Sequence, residues 1–256
     1  MLPHSIRSVA GELRRRRRSQ WAIVIGNGPT AGEDLARVSE RYPKADLFSV
    51  NMFPSSGLFT QYRPSFHLYV DTEWWSGRLP VCVESLADLN RRVDWPMTVL
   101  ALSAGEAYLR GALPNRHVSI LPYGAVAHVG LSPAMSSVLY GALLMMPVGQ
   151  TVLLHAAYWP LVMGYERVVL VGAGHEYLQY EVDQHTNALT WLDSHFYGTP
   201  KHVRTYDGMA GEVSAWAECF VQWRLLAQFA RARGVVFRNA TGFSMIDSID
   251  REWGEE

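Results

Sequence analysis

The segment Gly26-Asn27-Gly28-Pro29-Thr30 stands directly between an apolar run, residues 21–25, and a stretch with helical character. Two glycines in such a loop permit positive φ and close approach of backbone. Pro29 and Thr30 suit the first positions of a helix, with Thr30 as its N-cap, and the free amides of a helix start attract phosphate. An ordinary strand–helix turn has the same composition. The lysine of a Walker A loop is absent, and so is the third glycine of a dinucleotide fingerprint. Asn51 follows a second apolar run and Asp71 a third. Polar side chains there can hold a base, a ribose or a leaving phosphate, although Asn and Asp favour turns in any case. A second glycine-rich turn, Gly172-Ala173-Gly174-His175, follows residues 167–171. Its histidine reads either as a group titrating near neutrality or as the surface residue of a turn.

Further polar chemistry is concentrated in residues 175–210, a connection long enough to read as a lid or binding loop. It carries His175, His185, His195 and His202. No pair has the close regular spacing of a zinc motif, so the expectation is no metal and a single histidine acting as general base. The tryptophans 74, 75, 159, 191 and 216 read as core or rim, with stacking on a sugar or base open to the loop residues Trp74, Trp75 and Trp191. The run Arg14 to Arg18 reads as a solvated helix face or as a contact with an anionic membrane surface or acidic glycolipid.

These residues need a scaffold, and the pattern supplies one. Short, predominantly apolar runs (21–25, 46–50, 66–70, 97–101, 117–121, 167–171 and 235–238) alternate with helical segments at 31–41, 133–145, 150–163 and 211–233. Strands apolar on both faces imply a mainly parallel sheet covered by helices on both sides, a Rossmann-like α/β fold. Ligands in such sheets sit at the carboxyl ends of the strands, where Asn27, Asn51 and Asp71 converge. The expected organisation is a basic segment over 1–20 and a single nucleotide-binding domain over 21–256, with a lid-like region at about 175–210. An apolar content of 48% with 18% charged residues is ample for one core. The net charge of −1 points away from nucleic acid. Two distant cysteines, no secretory leader and an apolar stretch at 138–163 broken by Pro147, Gly149, Gln150, His155 and Pro160 suggest a cytoplasmic protein, with peripheral contact to the inner membrane as the alternative that the arginines leave open.

The loop IGNGPT resembles the opening motif of bacterial α-2,3/α-2,8-sialyltransferases that use CMP-sialic acid, and DLFSVNMF resembles their next motif, whose asparagine contacts the nucleotide; Asn51 matches it. Asp71 stands where those enzymes carry asparagine. The second half is similar to the motility-associated flagellin glycosyltransferase and pterin-diphosphokinase-like family. The matching order is Gly149-Gln150-Thr151, Gly164-Tyr165, a strand, Gly172-Ala173-Gly174-His175, then His195-Phe196 and Asn239-Ala240-Thr241. The family aspartate before His175 is Gly174 here. Thr199 falls where the sialyltransferase base would be, which leaves His195 and His202 as alternatives.

The resemblance implies a glycosyltransferase-A-like fold and transfer of a sugar, such as a nonulosonic acid, from a CMP-activated donor to a saccharide, glycolipid or protein hydroxyl, with no obligatory metal. It implies that Gly26, Asn27, Gly28, Thr30, Asn51, Asp71, Gln150, Thr151, Gly172, Gly174 and His175 hold the nucleotide. Tyr177, Tyr180 or Tyr197 would steady the departing phosphate. A homo-oligomer is a further expectation. The alternatives are an ATP- and magnesium-dependent pterin-type diphosphokinase, for which Asp71, Glu73 and Glu176 are the available carboxylates, and a non-catalytic nucleotide- or glycan-binding relative.

Overall fold

The computed structural model describes residues 5–126, 130–175, 180–193, 195–196, 201–204 and 208–253. In chain order the elements are α1 (Ile6–Arg16), β1 (Trp21–Ile25), α2 (Ala31–Arg41), β2 (Asp46–Val50), α3 (Leu58–Tyr62), β3 (Phe66–Tyr69), α4 (Glu73–Ser76), α5 (Pro80–Arg92), β4 (Met97–Leu102), α6 (Glu106–Ala112), β5 (Val118–Tyr123), α7 (Pro133–Gly141), α8 (Val152–Met163), β6 (Arg167–Val171), β7 (Tyr180–Val182), β8 (Leu189–Asp193), β9 (Lys201–Arg204), α9 (Gly208–Ala232) and β10 (Val236–Asn239).

Seven strands form one parallel sheet in the order β10-β6-β1-β2-β3-β4-β5. The alternation within single strands decides the two layers. Val168 and Leu170 point into a core shared with α1, α7, α8 and α9. Val169 and Val171 point into the opposite core, built with α2, α5 and α6. Helices on both faces bury the inner strands on both sides, which is why these read as predominantly apolar runs.

Helix α8 is buried along all twelve residues and packs on β1, β2, β3 and β6 between α1 and α9. This accounts for the longest apolar stretch. Among the described residues no helix is long and apolar enough to cross a membrane. The basic segment is tied into the core by α1, whose Ile6, Val9, Ala10 and Leu13 are buried. Its arginines divide by helical period. Arg14 donates twice to the Val162 carbonyl, at 3.0 and 2.8 Å, and Arg17 donates to Gly164. Both therefore sit at the carboxyl end of α8, where cations offset the helix dipole.

Two boundaries differ from expectation. The helix expected over 133–145 stops at Gly141, because Leu143 turns into the left-handed region at φ 61°. The 175–210 connection contains a three-stranded antiparallel meander, β7-β8-β9, rather than loop alone. Its first hairpin turns on Asp183, whose carboxylate accepts from the amides of His185 and Thr186.

Candidate active site

Strand order reverses direction between β1 and β6: β2 to β5 lie on one side, β6 and β10 on the other. A crevice at that point is the standard ligand position in open parallel sheets. Here it is closed by backbone. The Gly26 amide donates to the Val171 carbonyl at 2.8 Å, and the Gly28 amide to that of Gly172 at 2.9 Å. A Cβ on Gly26 would land on the Gly172 carbonyl oxygen, and one on Gly28 would stand 2.7 Å from it. Gly172 itself has φ 61°, with Ala31 Cβ only 2.6 Å from where its own Cβ would be. Glycine is thus required at 26, 28 and 172 by the chain's own packing. The expectation that the amides of the 26–30 loop are free for phosphate is corrected for Gly26 and Gly28.

The start of α2 is corrected in the same way. Thr30 is the N-cap residue but its side chain caps no amide. Its hydroxyl donates instead to Asp34 at 2.6 Å. The Asp34 carboxylate, in the first turn, also receives the Gly242 amide. A buried carboxylate therefore already occupies the positive end of this helix. The 172–175 turn is stitched to the C-terminal segment: Ala173 N donates to Thr241 Oγ1 at 3.0 Å, Ser244 Oγ to the Ala173 carbonyl at 2.7 Å, and Met245 N to that of Gly174 at 2.8 Å. His175 is neither exposed nor titratable near neutrality. It is 3% exposed, ringed by Trp216, Phe220 and Trp223, and its Nε2 accepts from Trp223 Nε1 at 2.8 Å. Burial lowers its pKa to about 4.

The buried polar atoms without partners after the strands lie over β1 to β4. Asn27 is 9% exposed and donates from Nδ2 to the Val50 carbonyl at 3.1 Å, which fixes its amide orientation. Its Oδ1 is buried without a partner among the described residues, and so is Asn51 Oδ1 on the neighbouring strand end. Asn51 adopts φ 49°, a left-handed conformation that asparagine tolerates. Ser103 Oγ, directly after β4, is likewise buried and unpartnered. It did not stand out in the sequence, although it obeys the same rule as Asn51, a polar residue directly after an apolar strand.

Asp71 follows β3. It touches solvent while protein crowds around it, and its carboxyl is raised by this desolvation and by Glu73. Beneath these residues His67 shares a 2.8 Å hydrogen bond with Ser49, and burial lowers its pKa to about 3. His155, bonded to the Tyr123 hydroxyl at 2.8 Å, is lowered to about 4 by burial.

Among the described residues, the 175–210 connection meets this edge at Phe196. The Phe196 amide donates to the Asn27 carbonyl at 3.2 Å, and the Phe196 ring lies 5.9 Å from that of Phe53, in the loop after β2. His195 is therefore brought to the Asn27 loop, half-buried. Tyr177, Tyr197 and Thr199, and the side chains of Tyr180 and His202, lie outside the described residues. Thr151 caps α8 by accepting from Leu153 N at 3.2 Å. Leu153 reaches under Gly26, so Thr151 and the exposed Gln150 start the helix below the first loop. Trp74, Trp159 and Trp216 are buried core residues, and Trp75 packs over Gly105. The Trp191 side chain lies outside the described residues. Among the described residues no group of three or more His, Cys, Asp and Glu is placed to hold a metal ion.

The fold is thus a doubly wound α/β sheet with polar strand ends over β1 to β4. No family model matches the sequence, and no curated protein matches it. Among solved structures it is similar to the MAf glycosyltransferase from Magnetospirillum magneticum AMB-1, with a TM-score of 0.52 and 13% identity. The superposition covers 92% of this chain and 34% of that one. The chain spans about a third of that glycosyltransferase, and what they share is the fold.

Proposed function

We propose that the chain is a glycosyltransferase that binds a CMP-activated sugar, such as a nonulosonic acid, over the carboxyl ends of β1, β2 and β3. The observation that carries this is the pair of unpartnered acceptors, Asn27 Oδ1 and Asn51 Oδ1, on adjacent strand ends. Leaving a buried acceptor unpaired costs about 1–3 kcal/mol. A cytosine amino group and ribose hydroxyls bring the donors that two such carbonyls lack. The matching motifs around both asparagines and the shared glycosyltransferase fold support the same reading.

In the proposed reaction a histidine removes the proton from an acceptor hydroxyl of a saccharide, glycolipid or protein. The hydroxyl oxygen bonds to the anomeric carbon, and the bond from that carbon to the CMP phosphate oxygen breaks, releasing CMP with the electron pair. His195 is the base in this reading because Phe196 ties it to Asn27; His202 is the other candidate. Asp71 and Glu73 favour a second reading, an ATP-dependent diphosphokinase, since a divalent cation would relieve the repulsion that raises Asp71.

Thermal unfolding against CMP, CMP-sialic acid, and ATP with magnesium tests both. A ligand at 100 times its Kd adds about 2.7 kcal/mol of stability. A shift with CMP or its sugar, lost in Asn51→Ala, supports transfer, and His195→Ala should then abolish turnover while sparing binding. A shift only with ATP and magnesium transfers the site to the kinase reading. Donor binding without turnover by any acceptor would mark a non-catalytic module.

A further inference from the structure

A cleft of about 350 Å³ opens at the opposite, amino edge of the sheet, lined in part by Arg15, Arg16, Arg18, Ser65, His117 and Ser119. The residues come from the end of α1 and the starts of β3, β4 and β5. The side of the arginine run that faces away from α8 supplies the charge. Arg15 and Arg16 share one carboxylate, Glu12, and Arg16 also donates to Thr98 Oγ1 at 2.8 Å. Arg18 is positioned by its backbone amide, which donates to the buried Asp46 carboxylate at 2.8 Å. Its exposed side chain forms no ion pair among the described residues. Three guanidiniums face Glu12 and, behind the Arg18 amide, the buried Asp46, so the concave space keeps a net positive charge with three guanidiniums crowded on it. Such crowding of like charge is relieved by a dianion, and guanidinium forks match phosphate oxygens two at a time.

We propose that this cleft is a binding site for a phosphomonoester, with Arg15, Arg16 and Arg18 on the phosphate and Ser65, Ser119 and His117 offering hydrogen bonds to its oxygens or to neighbouring hydroxyls. The volume suits a phosphorylated small molecule or headgroup rather than a bare ion. A five-residue strand is about 16 Å long, so the site is separated from the strand ends that carry Asn27 and Asn51 by the depth of the sheet. Its occupant takes no part in chemistry there. It would instead fasten α1 to the amino ends of β3, β4 and β5.

The probe is inorganic phosphate, titrated by thermal unfolding at ionic strength held constant with sodium chloride. Wild-type protein should be stabilised. Arg15→Ala/Arg18→Ala, which alters two exposed side chains, should bind phosphate about tenfold more weakly. Ser119→Asp, which puts a carboxylate on the exposed rim, should do the same. Nucleotide binding at the other edge should be unchanged in both variants. An equal phosphate response in wild type and variants overturns the proposal, as does no response to phosphate together with no binding to vesicles. Phosphatidic acid vesicles, whose headgroup is a phosphomonoester, with phosphatidylcholine as control, identify the source. Vesicle binding lost in the same variants assigns the site to a lipid headgroup, and a phosphate response without vesicle binding assigns it to a soluble phosphomonoester. Loss of nucleotide binding in Asn51→Ala with the phosphate response intact bears on the donor site alone.

Discussion

Replacing Gly28 by alanine separates two reasons for a glycine in the first loop. If the loop is built around a ligand's phosphate, the added methyl blocks the ligand and leaves the apo protein intact. The structure places that methyl 2.7 Å from the Gly172 carbonyl oxygen and 3.2 Å from its carbon, both backbone atoms. The strand-end contact must open, at the cost of about 1–3 kcal/mol for overpacking. The hydrogen bond from Gly28 N to Gly172 O is strained with it, worth about 0.5–1.5 kcal/mol more. A loss of about 3 kcal/mol lowers Tm by about 6 °C in a chain of this size. Gly32→Ala is the internal control. Its Cβ meets only Leu58 Cδ1 at 3.6 Å, an ordinary contact, and at this second residue of α2, where φ is not positive, alanine should stabilise by about 0.4–1 kcal/mol through the unfolded chain. Calorimetry without ligand decides the matter. Gly28→Ala unchanged in Tm but unable to bind nucleotide would refute the packing account and restore the phosphate-loop one.

Three further outcomes follow from the same contacts. His67, His155 and His175 are held neutral by burial, at about 3, 4 and 4 in the fold. Because these values are depressed, the stability they confer is present above pH 6.5 and drains as pH falls towards 4. Below the folded values the loss reaches about 3 kcal/mol each for His155 and His175 and about 5 kcal/mol for His67. Urea midpoints should fall steeply from pH 6.5 to 4 and less so in His175→Phe; a flat profile would contradict the burial of these rings. Arg14→Ala, by uncapping the Val162 carbonyl at the end of α8, should cost about 1–2 kcal/mol in urea unfolding, whereas Arg15→Ala, on the exposed side of α1, should cost about 0–1 kcal/mol. Asn27→Asp keeps the shape but turns a carboxylate towards the Val50 carbonyl in place of the Nδ2 donor. It should cost about 1–3 kcal/mol and remove CMP binding, and full retention of both would argue against the orientation fixed at Asn27.

The sheet was legible because a strand buried on both faces has no choice of composition: 21–25, 46–50 and 167–171 fall at β1, β2 and β6 residue for residue. The meander was not, since β7 and β9 are three and four residues long and their pairing is set by the Asp183 turn and by partners, not by an apolar run. At the site, what was legible was the need for glycine, and what was hidden was its cause. A ligand phosphate and a neighbouring carbonyl impose the same restriction on Cβ, and here the neighbour is Gly172, nearly 150 residues away in the chain. His175 fails for a related reason. Its flanking glycines look like a surface turn, while the rings that bury it, Trp216, Phe220 and Trp223, lie at helical spacing on α9. Five identical arginines likewise divide between helix cap and cleft only once α1 is formed. These failures share a consequence for function. With the β1–β6 crevice filled by Gly26, Gly28 and Gly172 and the α2 terminus occupied by Asp34, the unpartnered buried oxygens just after the strands, among the described residues, are those of Asn27, Asn51 and Ser103. In the proposed reading the donor therefore lies across Asn27, Asn51 and Ser103 rather than down the reversal of strand order.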